Sequence, residues 1–265
     1  MTNQMDEIAR YNYRRWQALA KANAIFTRPL LDLTPADARE IVDPYDNLGE
    51  LTGRPVLCLA AGGGQQSVAF ALLGAQVTVV DLSTAQLDRD RAAAAHYGLA
   101  IATIETDMRD LSLFEERSFD IVYQPYSLNF VPDARGVFQQ VARVLRPAGA
   151  YYFNCANPFT LGLQAEDWDG WGYPLRYPYI EGGAITSQDA PWVFRGEAQA
   201  EPIAGPREYR HALSTLINGL ITAGFALTRL EEEHLGAPDP NAEPGTTEHF
   251  TAVAPPWLRF WARRQ

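Results

Sequence analysis

From Arg54 onward, short apolar runs alternate with stretches of helical spacing: PVLCLAA, a helix over 65–73, QVTVVDLS, a helix over 84–97, IATIETD, FDIVYQP, a helix over 134–145, and GAYYFNCA. No other feature limits the fold as much. Strands that are apolar on both faces need cover on both sides, and intervening helices supply it. The spacing therefore predicts an α/β chain with a doubly wound, mostly parallel sheet. Such sheets bind ligands beyond the C-terminal ends of their strands, so the loops after Leu59, Val80, Glu105 and Tyr123 are expected to converge on one crevice.

Around this core the pattern changes. Residues 6–22 place Ile8, Tyr11, Trp16 and Leu19 at near-helical spacing, which predicts an amphipathic helix packed across the domain. Thr34-Pro35 reads as an N-cap followed by a first-turn proline, with the helix breaking at Asp43-Pro44. Residues 158–206 are rich in Pro, Gly and aromatics, and a structureless loop of that length would be unusual, so hairpin pieces forming a cap are expected. A helix over 206–223, stopped by Gly224, and strands near 225–231 and 257–263 complete the reading. The division is a helical lid segment over 1–53, a core over 54–157 and 207–265, and an inserted substrate cap over 158–206.

The chemistry starts at VLCLAAGGGQQS, residues 56–67, an apolar strand running through three glycines into a helix. Glycine lets the backbone turn sharply and approach a ligand, and the N–H groups at the helix start favour negative charge. Asp81 ends the next strand, where a carboxylate can accept from both hydroxyls of a ribose; capping the following helix, with Ser83 and Thr84, is its alternative.

In order along residues 54–155, VLCLAAGGG, VVDLS, ETDMRDL, FDIVYQPYSLNFVPD and VARVLRPAGAYYF resemble the motif series of the class I S-adenosylmethionine-dependent methyltransferases, in their broad small-molecule branch (types 11 and 25). The resemblance implies the Rossmann-like, seven-stranded methyltransferase fold, S-adenosylmethionine as cofactor and S-adenosylhomocysteine as product. It implies that Ala60, Ala61, Gly62 and Gly64 bring backbone near the methionine moiety, with Gln65 close by. Asp81 would hold the ribose, Leu82 would flank the adenine, Asp107 would accept the adenine amino group and the Met108 amide would meet a ring nitrogen. Gln124, Pro125 and Ser127 would line the exit of the fourth strand, near the sulfur and the acceptor, and Arg146-Pro147-Ala148-Gly149 would be a structural turn. Cys58 stands where the family carries an acid, and Ala60 where it carries a glycine. The methionine amine then needs another holder: backbone carbonyls of the turn and Gln124, or Tyr11 and Thr27 from the N-terminal segment.

A sulfonium methyl is already activated, so transfer needs in-line placement above all, helped by a general base near neutrality when the acceptor carries a proton. Of the four histidines, His96 and His234 read as solvated. His211, after the cap, is the favoured base or acceptor ligand, with a structural bond to a neighbouring carbonyl as its alternative; His249 ranks behind it. Trp168, Trp171, Tyr173, Tyr177, Tyr179 and Trp192 suggest a pocket for a flat or apolar acceptor, aromatic ones included, or else a core for the cap.

A net charge of −10 and scattered basic residues argue against nucleic acid and anionic membrane surfaces as partners. Cys58 and Cys155 sit in strand runs and read as reduced core thiols, no metal-ligand cluster is expected, and the polar N-terminus and short apolar runs predict a cytoplasmic protein. Monomer and homodimer both remain open. The expected function is methyl transfer to a small-molecule acceptor, with oxygen or nitrogen favoured. A non-catalytic cofactor-binding module is one alternative; an NAD-dependent oxidoreductase is another, though G-G-G-Q-Q-S departs from the dinucleotide pattern.

Overall fold

Strands β1 (Pro55–Leu59), β2 (Gln76–Asp81), β3 (Ile101–Glu105), β4 (Phe119–Gln124) and β5 (Leu145–Ala156) run parallel. Helices α3 (Gln66–Leu72), α4 (Thr84–Tyr97) and α5 (Ala134–Val144) connect them, as the sequence rhythm requires. The computed structural model describes residues 5–190, 201–234 and 236–265. The seven strands lie in the order β3-β2-β1-β4-β5-β9-β8, in which β8 (Phe225–Glu233) and β9 (Trp257–Arg264) are antiparallel to their neighbours. The winding reverses between β1 and β4, which opens the crevice at their carboxyl ends.

Period-two alternation sorts the strand residues onto two apolar layers. Leu57, Leu59, Val122, Phe153 and Phe260 face α5 and α6 (Leu213–Thr222), meeting Phe138, Val141 and Leu216. Val56, Cys58, Val79, Tyr123 and Trp261 face the other way, onto α3 and α2 (Pro35–Val42) through Phe70, Ala71 and Val42. Both cysteines are free and buried. The Arg146–Gly149 turn is a bulge in β5: the register with β4 jumps from Phe119↔Leu145 to Ile121↔Ala150, and Ala148 takes a φ of +63°. The proline, which cannot donate to a ladder, sits in this excursion.

The N-terminal helix α1 (Glu7–Lys21) lies across α4. Gln17 caps the start of α4: its Oε1 accepts from the Ser83 hydroxyl and the Ala85 amide, both at 2.8 Å, and its Nε2 donates to Thr84 Oγ1 at 2.8 Å. From α4, Arg89 donates to the carbonyls of Ala20 and Thr27 and to Asn23 Oδ1. The chain between α1 and α2 is thereby fixed over the glycine turn. Leu30 N–H donates to the Gly64 carbonyl at 3.0 Å, and Gln65 Nε2 donates to the carbonyls of Phe26 and Arg28 at 3.1 and 2.9 Å.

One expectation needs correction, and one element is additional to those expected. The helix expected over 206–223 begins only at Leu213, because Arg207–Tyr209 forms strand β7, paired antiparallel with β6 (Ala184–Thr186) in a small cap sheet. Helix α7 (Thr247–Val253), with Thr246 accepting from the His249 amide as N-cap, has no clear signature in the sequence, since its polar GTTEH opening carries little apolar period. Trp192 lies outside the described residues. Among the described residues no helix is long and apolar enough to cross a membrane.

Phe260 is fully buried and stacks on Phe153 at 4.7 Å between ring centres. Phe260→Ala is expected to cost about 3–5 kcal/mol, read as a lower urea midpoint at unchanged slope.

Candidate functional site

The glycine turn is shaped by a carboxylate that does not belong to it. Asp90, buried on α4, accepts the amides of Gly63 at 2.9 Å and Gly64 at 3.0 Å and the Ser67 hydroxyl at 2.5 Å. Burial pushes its pKa up to about 7, against the pull of these three donors. The N–H groups expected to face an anion are thus consumed inside the protein. Asp90 also lies next to Cys58, whose thiol pKa is raised by burial and by that neighbouring carboxylate.

Gly64 proves to be a packing residue. A Cβ there would meet Ala93, Arg89 and Pro29 at 2.9 Å, so this glycine faces α4 and the N-terminal segment instead of the crevice. Gly62 does lie at the crevice. A Cβ on it would come within 2.7 Å of Gln86 Cβ and 3.0 Å of Asp81. Ala60 holds a φ of +48°, the left-handed conformation for which a glycine is the usual choice, at a cost of about 1 kcal/mol.

These strand ends border a cavity of about 720 Å³. Ala60, Ala61, Gly62 and Gln65 line it from the turn, Asp81 and Leu82 from β2, Asp107 and Met108 from β3, and Pro125 and Ser127 from the loop after β4. Asp81 does not cap α4; Ser83 does. Instead Asp81 Oδ2 accepts from Gly62 N–H at 2.9 Å and Oδ1 from Ser83 N–H at 2.8 Å. Each oxygen keeps acceptor capacity for a hydroxyl. Burial raises its pKa to about 6, while the two amides pull it down. An acceptor-only carboxylate between a close-approach glycine and apolar walls fits the ribose of an adenosyl group.

At the next strand end Asp107 is gripped by Arg109, whose Nε lies 3.0 Å from both carboxylate oxygens. Arg109 continues to Asp6, the N-cap of α1, at 2.7 and 3.0 Å. That contact holds the Asp6 carboxyl down at a pKa of about 2. An adenine amino group arriving at Asp107 would share it with this cation, which also ties down α1.

Several expected contacts lie elsewhere. Gln124 is fully buried: its Oε1 accepts from Tyr151 OH at 2.5 Å, and its Nε2 contacts Ser127 Oγ at 3.1 Å and Met108 Sδ at 3.3 Å. Its side chain braces the floor instead of reaching a ligand. Tyr11 donates to the Gly205 carbonyl at 2.7 Å and Thr27 to the Ala24 carbonyl at 2.7 Å, and neither lines the cavity. From the same N-terminal segment, Asn12, Arg15, Trp16 and Phe26 line it instead.

His211 is buried with both ring nitrogens engaged, Nε2 at 3.1 Å from the Leu128 carbonyl and Nδ1 at 3.4 Å from Glu181. It stands outside the cavity lining and fastens the end of β7 to the loop after β4. His249 bonds Tyr173 OH at 2.8 Å beside Trp168, His234 meets the Thr251 carbonyl and His96 the Leu31 carbonyl. Among the described residues the cap aromatics do not line the cavity either. Trp168 and Tyr173 pack on α7, Tyr179 stacks on Phe159, Tyr177 closes over Gly162, and Trp171 is 94% exposed. The aromatic walls are Trp16, Phe26, Tyr126, Phe130 and Trp257. The far half of the cavity is completed by Asn154, Gln164, Glu208 and Glu233. Asp90 had one sequence signal: it shares a helix face with Gln86 and Ala93, and that face is buried.

A profile of the family described as "Methyltransferase domain" matches residues 57–153. A Bacillus subtilis (strain 168) protein, the uncharacterized methyltransferase YbaJ, is 33% identical over 195 residues, covering 73% of this chain and 74% of its own length. A ubiquinone biosynthesis O-methyltransferase of Xanthomonas oryzae pv. oryzae (strain PXO99A) is 26% identical over 207 residues, covering 77% of this chain and 83% of that one. The crystal structure of an S-adenosylmethionine-dependent methyltransferase from Mesorhizobium loti superposes with a TM-score of 0.63 at 25% identity, covering 89% of this chain and all of that one.

Two predictions follow from the turn and from Asp81. Asp90→Ala strands two amides and a hydroxyl in the interior and is expected to cost on the order of 3 kcal/mol in urea unfolding. Asp81, with its pKa near 6, gains a proton as pH falls through that value and becomes a poorer acceptor. Calorimetric affinity for S-adenosylhomocysteine is therefore expected to drop about tenfold from neutral pH to about one unit below 6, and Asp81→Asn should remove that step.

Proposed function

The chain belongs to the S-adenosylmethionine-dependent methyltransferase family, and on that premise we propose that it methylates an oxygen or nitrogen of a small-molecule acceptor. The observation that carries this reading is that one cavity is lined from both sides of β4. The β1–β3 half is lined by the ordered motif residues, and the half beyond β4 is lined by Asn154, Glu208, Glu233 and Trp257. A module that only held the cofactor would need no second half. The O-methyltransferase relative supports oxygen as the methylated atom.

When bound, the cofactor supplies a sulfonium methyl already activated for displacement. The chain supplies placement. Asp81 and the Gly62 backbone fix the nucleoside end, Met108 and Leu82 give it apolar walls, and Pro125 and Ser127 mark where the two halves meet. Trp16 and Phe26 cover this half from the N-terminal segment, excluding water that would otherwise compete and weaken the electrostatics. Residues 1–53 then serve as the lid and 158–206 as the acceptor cap. The two free, buried thiols suit a reducing compartment, and we place the protein in the cytoplasm.

The consumption of the Gly63 and Gly64 amides by Asp90 weighs against a dinucleotide, whose pyrophosphate would need such donors and would be repelled by that carboxylate. Calorimetry separates the readings. S-adenosylmethionine and S-adenosylhomocysteine are expected to bind with dissociation constants on the order of micromolar, about −8 kcal/mol, and NAD not at all. Binding of NAD alone would overturn the assignment.

A further inference from the structure

The strand β7 carries Glu208 into the lining of the cavity, where it meets Tyr126 from the exit of β4. It is held there from three sides. Asn129 Nδ2 donates to the Tyr209 carbonyl at 3.2 Å while its Oδ1 accepts from the Ala156 amide at 2.7 Å, which ties β7 to the end of β5. His211 fastens the same segment to the Leu128 carbonyl. From α1, Tyr11 and Arg15 donate to the carbonyls of Gly205 and Ala204. A cavity-lining carboxylate on an otherwise ordinary three-residue strand is thus located by contacts to α1 and to the loop after β4, and through Asn129 to the end of β5.

Glu208 faces Tyr126, which lies between Pro125 and Ser127 at the exit of β4. The Tyr126 hydroxyl donates to Glu208 Oε1, and Oε2 accepts no hydrogen bond from any described residue. Both side chains line the cavity, as does Arg15. Resting on the methyl-transfer reading, we infer that Glu208 is the general base of this enzyme, that Tyr126 is its positioning residue, and that the acceptor is a molecule presenting an O–H or N–H to Glu208 Oε2. Burial raises the pKa of Glu208, while the Tyr126 hydroxyl and the Arg15 charge draw it back. With Oε1 held by Tyr126 and Oε2 facing the cavity, this carboxylate is placed to take a proton from a bound acceptor.

The step balances. The acceptor oxygen or nitrogen forms a bond to the methyl carbon, the carbon–sulfur bond breaks with its electron pair going to sulfur, and S-adenosylhomocysteine leaves as a neutral thioether. The acceptor's proton passes to Glu208 Oε2 and from there to water. Tyr126 stays protonated throughout, since burial and the adjacent carboxylate raise its own pKa well above the usual value.

The test uses the full chain, with catechol and tyramine as acceptor probes and S-adenosylmethionine binding measured on the same preparations. In the wild type, methyl transfer to one of these probes is expected to fall along an acidic limb. Glu208→Gln should lower kcat by about 100-fold or more, abolish the limb and leave cofactor affinity within about threefold. Tyr126→Phe removes the donor that favours the carboxylate, so the limb should move to higher pH, which a merely structural tyrosine would not do. On the S-adenosylhomocysteine-loaded chain, probe affinity should rise with pH along the same limb in the wild type and stay flat in Glu208→Gln. Cofactor binding with neither probe bound or methylated, a Glu208→Gln kcat within about threefold of wild type, or a persisting limb in that variant would each overturn the inference. Absence of cofactor binding would instead sink the methyl-transfer reading itself.

Discussion

The site depends on one buried carboxylate. Three donors converge on Asp90, and two of them are backbone amides of consecutive glycines, so the path of the turn is dictated by where α4 presents that side chain. The rest follows geometrically. With Gly63 and Gly64 drawn toward α4, Gly62 is pushed against Asp81, and β1 and β2 are locked at the register that places their ends side by side. Left-handed Ala60 is the local strain this arrangement tolerates.

Much of the fold was legible because it depends on patterns that repeat. Each core strand shows its two-sided burial in its own residues, and several helices show their start in a capping residue, as at Thr34, Ser83 and Asp133. What escaped depends on partners far away in sequence. Arg207–Tyr209 becomes a strand because Ala184–Thr186 offers it a ladder, a pairing that the helical spacing of PREYRHAL does not disclose. The polar start of α7 is stabilised by its cap and by packing on Trp168 and Tyr173, which the local sequence does not reveal either.

The site divides in the same way. Asp81, Leu82, Asp107 and Met108 sit at strand ends, and their places follow from the strands themselves. His211 misled because residue type suggested chemistry, whereas a buried carbonyl and a carboxylate had already taken its nitrogens. Three residues earlier, Glu208 carries no motif; only the fold brings it to Tyr126, whose sequence separation of 82 residues hides the pair. Of the two readings open for the cap aromatics, Trp168 and Tyr173 take the structural one, because the cap must bury a core of its own before it can offer a wall to anything else.

The contacts between α1, the following crossing and the core also bear on motion. Gln17, Arg89, Gln65 and Arg109 hold that segment at four separate points along its length, in both directions of donation between the segment and the core. A segment fastened in this way has no free hinge about which to swing. Exposing the crevice means losing those bonds as a set, so the movement is a partial unfolding with its own free energy.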